Sequence, residues 1–123
     1  FRGFDAQENL QISEFLSGEV IDYELLKHLK IDHILKQGVG EISGGQQQRL
    51  SIARVLNKKP KIIFADEPTG NLDNTTAKDV MSVVFDYLSK EKAGMILVTH
   101  ELELANRCDK VFKLEDKKLQ RIK

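Results

Sequence analysis

The spacing of apolar residues divides the chain into a helical N-terminal part and a C-terminal part in which helices alternate with short apolar runs. Asp5, followed three residues later by Glu8, matches a capping box and predicts a first helix that Gly18 ends. Apolar residues at helical spacing predict a second helix from Val20 to Leu29 and a further turn through residues 31–35. No heptad pattern is sustained, so we expect a compact helical layer and not a coiled coil.

A third helix is predicted to follow the loop marked by Gly38 and Gly40. Ser43 suits its N-cap, because the serine hydroxyl can accept a hydrogen bond from a backbone N–H of the first turn. The apolar face of this helix consists of Leu50, Ala53 and Leu56. The helix is predicted to end near residues 57–59, since lysines suit its negative end and Pro60 cannot continue it.

The start of this third helix has the features of an anion-binding site. Gly44 and Gly45 leave the backbone bare, so another molecule can approach the N–H groups closely. These N–H groups lie at the positive end of the helix dipole, which attracts phosphates and carboxylates. An ordinary capped helix start is the alternative, and Ser-Gly-Gly alone does not exclude it.

A continuous apolar run from Lys61 to Ala65 follows Pro60 and predicts a strand that is buried on both faces of a parallel sheet. The run delivers Asp66 and Glu67 at its C-terminal end, where open α/β sheets bind ligands. Because successive strand side chains point to opposite sides, the two carboxylates are expected to have different tasks. One can face a hydrated metal while the other reaches toward a water molecule.

The remaining chain predicts a long helix, a second buried strand, a short helix and a hairpin. Capping residues at 74–76 open the long helix. Its apolar stripe consists of Ala77, Val80, Met81, Val84 and Leu88. The second buried strand runs from Met95 to Val98 and leads to His100. A short helix is predicted from Glu101 to Arg107, and residues 111–122 are predicted to form a hairpin.

Composition and charge limit the functional classes. A length of 123 residues suits one small domain, and 19 basic residues balance 19 acidic ones. Such a balance provides no field for binding nucleic acid or an anionic membrane, so we expect no nucleic-acid partner. The apolar runs are too short to span a bilayer. The single cysteine, Cys108, excludes an internal disulfide and fits a reducing compartment; we interpret it as a small core residue.

Three stretches together resemble the motifs of ATP-binding cassette (ABC) ATPases. The stretch Ile42-Ser43-Gly44-Gly45-Gln46 resembles the LSGGQ signature, with isoleucine in place of the usual leucine. The stretch from Ile62 to Asp73 ends in Asp-Glu-Pro-Thr-Gly-Asn-Leu-Asp and resembles the Walker B strand, the catalytic glutamate and the D-loop. His100 matches the H-switch of the same family. The Walker B stretch follows shortly after the signature helix, and this combination argues against a chance similarity.

In this family two nucleotide-binding domains pair head to tail and sandwich ATP between them. The resemblance implies that the signature residues meet the triphosphate held by the opposing subunit; these are Ser43, Gly44, Gly45 and Gln46. It implies that Asp66 holds Mg²⁺ through water and that Glu67 is the general base that polarises the attacking water. His100 is implied to contact the γ-phosphate, and Asp73 to lie at the dimer seam.

The P-loop of the family does not occur in this sequence. It requires Gly-Lys followed by Ser or Thr, and none of the eight glycines is followed by lysine. The resemblance therefore implies the C-terminal portion of a nucleotide-binding domain, with an α/β, RecA-like P-loop NTPase fold and a mostly parallel sheet. Residues 1–57 are predicted to form the helical subdomain with the signature helix, and residues 58–123 the C-terminal half of the ATPase core.

Gly70 and the compact helical layer favour the transporters that serve lipoprotein release, macrolide or peptide efflux and cell-division complexes. The implied protein is an ATP-hydrolysing subunit that powers export. Its implied partners are a second nucleotide-binding domain and transmembrane permease subunits, and its location is cytoplasmic, peripheral on the inner face of the cell membrane. Two alternatives stay open: a soluble ABC-type ATPase of DNA repair, chromosome maintenance or translation, and a truncated regulatory module that does not hydrolyse ATP.

Without a P-loop, the chain by itself is expected neither to bind MgATP tightly nor to hydrolyse it. In similar folds the P-loop strand lies next to the strand that leads to His100. Its absence is expected to leave residues 95–98 with an unpaired edge and to uncover apolar surface on the helix at residues 77–88. We therefore expect the chain to self-associate by edge pairing or hairpin exchange, or else to pack its hairpin beside residues 95–98.

Overall fold

The computed structural model describes residues 5–38 and 42–123, and all structural statements below refer to these residues. Their elements, in chain order, are α1 (Ala6–Ser17), α2 (Tyr23–His28), a 3₁₀ turn (Asp32–Ile34), α3 (Gly44–Asn57), β1 (Ile62–Asp66), α4 (Asn74–Glu91), β2 (Gly94–Val98), α5 (Leu102–Asn106), β3 (Phe112–Glu115) and β4 (Lys118–Arg121). Gly40 of the predicted loop lies outside the described residues.

The first helix is capped at both ends by the residues that its sequence indicated. The Asp5 carboxylate accepts from the Glu8 N–H at 2.7 Å and the Glu8 carboxylate accepts from the Asp5 N–H at 3.0 Å, which confirms the capping box. Gly18 ends α1 with a φ of 77°, a left-handed conformation that favours glycine. Helix α2 is shorter than predicted, because Asp22 caps it and leaves the Val20 side chain outside and 75% exposed.

Helix α3 begins directly after the predicted N-cap, Ser43, and ends within the predicted range. Leu50 packs with α1 residues in one core cluster, whereas Leu56 is buried in a second cluster with β1. Helix α4 joins the same two clusters through Val80 and Met81. Because both long helices contribute to both clusters, packing is continuous between the two parts of the chain. The domain boundary after residue 57 stays a prediction.

Strands β1 and β2 pair in parallel, with Ile62 opposite Gly94 and Asp66 opposite Val98. Two parallel strands require a crossover connection, and α4 provides it. The register places the carboxyl ends of both strands side by side. The residues that follow the two strands are therefore brought to one edge of the sheet.

Helix α4 differs from its prediction at the N-terminus and agrees with it in the core. Its N-cap is Asp73, whose carboxylate accepts from the Thr76 N–H at 2.7 Å. The prediction of capping residues at 74–76 is wrong, because these residues form the first turn of the helix. The fully buried part of the stripe consists of Ala77, Val80, Met81 and Val84. The expectation of uncovered apolar surface on this helix is therefore also wrong.

One face of the β1–β2 sheet packs against helices and the other faces solvent. Ile63 is buried, whereas Phe64 is 72% exposed and its partner across the ladder, Ile96, is 53% exposed. Ile62 and Val98 belong to the same exposed face. The prediction that β1 is buried on both faces is wrong for the described residues, because their helices pack on one side of the sheet only.

The C-terminal hairpin forms a separate two-stranded sheet. Strands β3 and β4 pair antiparallel, with Phe112 opposite Arg121, which confirms the predicted hairpin. Asp116 and Lys117 join the strands with φ values of 51° and 61°, as a type I′ turn requires. The hairpin does not pair with β2, so the alternative in which it occupies the edge of that strand is wrong.

The exposed sheet face generates a prediction about the 123-residue chain. We expect the chain to self-associate, because large apolar patches and open strand edges recruit other chains. Replacing Phe64 and Ile96 together by lysine places like charges opposite each other on this face and should yield monomers in light scattering of a dilute sample. Phe15→Lys, at an 87% exposed position on α1, is the matched control and should leave association unchanged. A wild-type chain that is monomeric at all concentrations would contradict this prediction.

Candidate functional site

Glu67 follows β1 directly and has a left-handed backbone conformation, with a φ of 46°. This conformation is costly for a residue with a Cβ and persists only where its surroundings fix it. Two backbone hydrogen bonds do so: the Glu67 N–H donates to the Val98 carbonyl at 2.8 Å, and the Gly70 N–H donates to the Glu67 carbonyl at 3.2 Å. Strand pairing and a tight turn thus fix the direction in which the Glu67 side chain leaves the sheet.

His100 lies beside Glu67 because β2 ends next to β1. Its Nδ1 lies 2.7 Å from Glu67 Oε1, and its backbone N–H donates to the same oxygen at 3.0 Å. Since an ionised carboxylate only accepts, Nδ1 carries the proton in this contact. The hydrogen bond to Glu67, and next the attraction of its negative charge, raise the pKa of His100. The His100 side chain is 83% exposed, so a ligand can reach it.

Asp66 is the last residue of β1 and is exposed at the same edge of the sheet. Residues 5–38 and 42–123 hold no group of three or more His, Cys, Asp or Glu side chains that could bind a metal ion by themselves. A single exposed carboxylate suits Mg²⁺, which keeps several waters and is usually held through one or two carboxylates together with substrate phosphates. Asp66 therefore fits an ion that binds with a phosphate ligand.

Asp73 is exposed where the loop after β1 enters α4. Hydrogen bonds from Thr76, first from its side chain and then from its N–H, lower the pKa of Asp73, and the positive charge of Arg49 adds to this. Asp73 is thus held as an anion at the helix N-terminus, where the dipole favours negative charge. The Asp73 carboxylate therefore caps α4.

The signature segment is a capped helix start with open backbone. Ser43 Oγ accepts from the Gln46 N–H at 3.1 Å, and Gln46 Oε1 accepts from the Ser43 N–H at 3.0 Å, a second capping box. The Gly44 and Gly45 amides precede the first intrahelical bond and have no acceptor within the helix. A Cβ on Gly44 would meet only open space. Amides that have no acceptor within the helix, at a start where Gly44 leaves open space, remain compatible with the predicted anion site.

Gly45 and Gln48 connect the signature segment to the loop that follows β1. A Cβ on Gly45 would lie 3.0 Å from Leu72 Cδ2, so the glycine allows close packing against this loop. The Gln48 side chain donates from Nε2 to the Pro68 carbonyl, and its Oε1 accepts from the Asn71 N–H at 3.1 Å. The structure therefore brings the signature segment to the loop at 67–72, which begins with Glu67.

Gln48 was missed by sequence reasoning. It lies three residues after Gly45 and therefore on the same face of α3. This helical spacing is the signal that could have indicated it. Its hydrogen-bond partners are backbone groups some twenty residues away, and no sequence pattern marks them.

Comparison with known proteins identifies the family. The family model described as ABC transporter matches residues 2–70, more than half of the chain, and the chain therefore belongs to this family. The lipoprotein-releasing system ATP-binding protein LolD of Rickettsia felis is 42% identical over 120 residues, which cover 93% of this chain and 54% of LolD. The ABC transporter ATP-binding protein YbbA of Escherichia coli K12 is 37% identical over 122 residues, covering 94% of this chain and 54% of YbbA. The chain spans about half the length of the curated relatives it matches.

Solved structures agree with this assignment. The ATP-binding cassette MJ0796 in a dimeric post-hydrolysis state bound to ADP and Pi matches with a TM-score of 0.84 at 27% identity, over 98% of this chain and 56% of that one. Another dimeric structure of MJ0796, a bacterial ABC transporter cassette, matches with a TM-score of 0.78 at 30% identity, again over 98% and 56%. The predicted fold class, an α/β P-loop NTPase with a parallel sheet, is confirmed.

Within residues 5–38 and 42–123, none of the helices has the length and apolar character needed to cross a membrane.

The contact between Glu67 and His100 generates a prediction about pH. Replacing Glu67 by glutamine removes the charge, so the pKa of His100 should fall toward its ordinary value of 6.5. The contribution of this pair to stability is fully present below the ordinary histidine pKa and is lost as the pH rises through the raised one. NMR titration of the His100 ring, in the background with lysine at positions 64 and 96, measures the shift. Equal His100 pKa values with and without Glu67 would refute the contact.

Proposed function

We propose that this chain is the catalytic portion of an ABC transporter ATP-binding subunit that hydrolyses ATP to power export, with lipoprotein release and drug or peptide extrusion as the nearest type. The observation that carries the proposal is the Glu67–His100 contact beside Asp66, at the carboxyl edge of a parallel sheet. Ligands of open α/β sheets bind at such an edge. The similarity to LolD supports the type of transporter.

Glu67 is the proposed general base, and His100 holds it. With Oε1 fixed by two donors from His100, the other carboxylate oxygen is the one that accepts a proton from the attacking water. The exposed His100 ring can also turn to the γ-phosphate of ATP. Phosphoryl transfer depends mainly on positioning and charge stabilisation, so a fixed carboxylate next to an exposed cation suits it.

Asp66 is the proposed holder of Mg²⁺, through water. Bound there, the ion would neutralise charge on the phosphate oxygens. Asp66 is the last residue of β1, whereas Glu67 begins the left-handed turn that follows the strand. The proposed metal ligand and the proposed base therefore stand on backbone of different conformation.

The signature residues are proposed to act on the nucleotide of a second subunit. Within this chain Ser43 and Gln46 cap the start of α3, while the Gly44 and Gly45 amides have no acceptor within the helix. We propose that Ser43, Gly44, Gly45 and Gln46 together present this capped helix start to the nucleotide of the other subunit. The dimeric state of MJ0796 supports pairing with a second nucleotide-binding domain. The head-to-tail arrangement, with Asp73 at the seam, is part of the proposal. We also propose that the subunit binds transmembrane permease subunits. It would then lie in the cytoplasm, peripheral on the inner face of the cell membrane. Inactivity of the 123-residue chain by itself and its two-part domain division stay predictions.

Replacing Glu67 by glutamine in the complete subunit that contains this sequence tests whether Glu67 is the general base. We expect turnover to fall by about 10² to 10⁴, because a general base typically contributes that much, while ATP binding is kept. Phosphate release and nucleotide titration measure the two effects separately. Glu91→Gln, the same change at an exposed position at the end of α4, is the control and should hydrolyse ATP normally. Wild-type turnover in the Glu67→Gln subunit would show that another residue is the general base, and His100 would be the first candidate.

A further inference from the structure

We propose that Gln48 is a positioning residue, which holds the loop at 67–72 and thereby fixes the catalytic geometry of Glu67. Its Nε2 donates to the Pro68 carbonyl, and its Oε1 accepts from the Asn71 N–H at 3.1 Å. Pro68 directly follows the proposed base, and Asn71 lies two residues before Asp73. One side chain therefore holds both ends of the segment between the base and the proposed seam residue. This inference rests on the proposed function, since it assumes that Glu67 is the base.

The amide chemistry of Gln48 matches these two partners. The Pro68 carbonyl can only accept a hydrogen bond and the Asn71 N–H can only donate one, so the side chain needs a donor and an acceptor together. Glutamine offers both without a charge, whereas a glutamate of the same length offers a donor only when it is protonated. The two partners also fix the orientation of the amide, with nitrogen toward Pro68 and oxygen toward Asn71.

The backbone of Glu67 needs external support. Its φ of 46° is a left-handed conformation that costs about 1–3 kcal/mol and persists only where the surroundings over-determine it. The bond to Val98 fixes the N-terminal side of Glu67, and the bond from Gly70 closes the turn after it. Gln48 adds a third hydrogen bond, to the carbonyl of Pro68, the residue that follows Glu67. Without it, the strained turn can relax and carry the Glu67 carboxylate away from His100.

Gln48 stands on a helix that is firmly fixed. Leu50 and Ala53 of α3 are buried in the core, and Arg49 Nη1 donates to the Leu29 carbonyl at 3.4 Å. The packing of Gly45 against Leu72 adds a second contact between α3 and the loop. As a result, the signature at the start of α3 and the base after β1 are held as one unit, although they are proposed to serve different nucleotides.

Steady-state ATP hydrolysis by the complete subunit tests the inference. For Gln48→Met, which keeps the length but has neither donor nor amide acceptor, we expect kcat to fall by about 10- to 100-fold, the cost of misplacing a reacting group. The KM for ATP should stay within about twofold, since no nucleotide contact is removed. Gln11→Met, at an exposed glutamine of α1, is the matched control and should leave both constants unchanged.

Two further readouts separate positioning from general destabilisation. In a Glu67→Gln background, Gln48→Met should cause no additional loss, because a residue that acts through the base has no effect once the base is gone. Gln48→Glu keeps the acceptor and loses the donor, and a protonated carboxyl regains an O–H donor. The rate of Gln48→Glu relative to wild type should therefore rise as the pH is lowered, while the relative rate of Gln48→Met stays flat.

The outcomes distinguish this inference from the proposed function. If Glu67→Gln stops turnover and Gln48→Met does not slow it, the proposed function holds and the positioning role is wrong. Additive losses in the double variant would likewise overturn the positioning role. If Glu67→Gln hydrolyses ATP normally, the proposed function fails first. Hydrogen exchange of the Asn71 amide in the 123-residue chain tests the contact without measuring activity. Gln48→Met should accelerate this exchange, and an unchanged exchange rate would contradict the hydrogen bond between Gln48 and the loop.

Discussion

The parallel pairing of β1 with β2 is the constraint on which the rest of the site depends. Asp66 lies opposite Val98 in this register, so Glu67 and His100 follow the two strands at the same edge and meet at 2.7 Å. A slip of one strand by one residue would move its side chains to the opposite face of the sheet and would break the alignment of Glu67 with His100. The ladder continues one step beyond the strands through the bond from Glu67 to Val98, and that bond holds the left-handed turn at the proposed base.

Helix α3 is the second organising element, because its first two turns both contribute to the site. Its first turn carries the open amides of Gly44 and Gly45, and its second turn carries Gln48, which holds the loop after β1. Its apolar side is buried in both core clusters. Movement of this helix would therefore displace the signature and the loop together, which suits a site divided between two subunits.

Local chemistry made much of the fold and of the candidate site predictable. The cap at Ser43 depends on neighbours within one turn, and the motif residues stand together in sequence. Two errors are local, the start of α2 and the N-cap of α4, and the others concern contacts between distant segments. The exposure of Phe64 depends on what packs over the sheet, and the strained φ of Glu67 depends on β2. The contacts of Gln48 with a loop twenty residues away depend on how α3 packs, which periodicity does not encode.

The central claim is that one chain supplies its base to one nucleotide and its signature to another. A structure of the complete Glu67→Gln subunit with MgATP tests this most directly. The account predicts a head-to-tail dimer in which Asp66 approaches the Mg²⁺ of one nucleotide through water, while Ser43 of the same chain contacts the γ-phosphate of the other. A structure in which Ser43 and Asp66 of one chain meet the same nucleotide would contradict it.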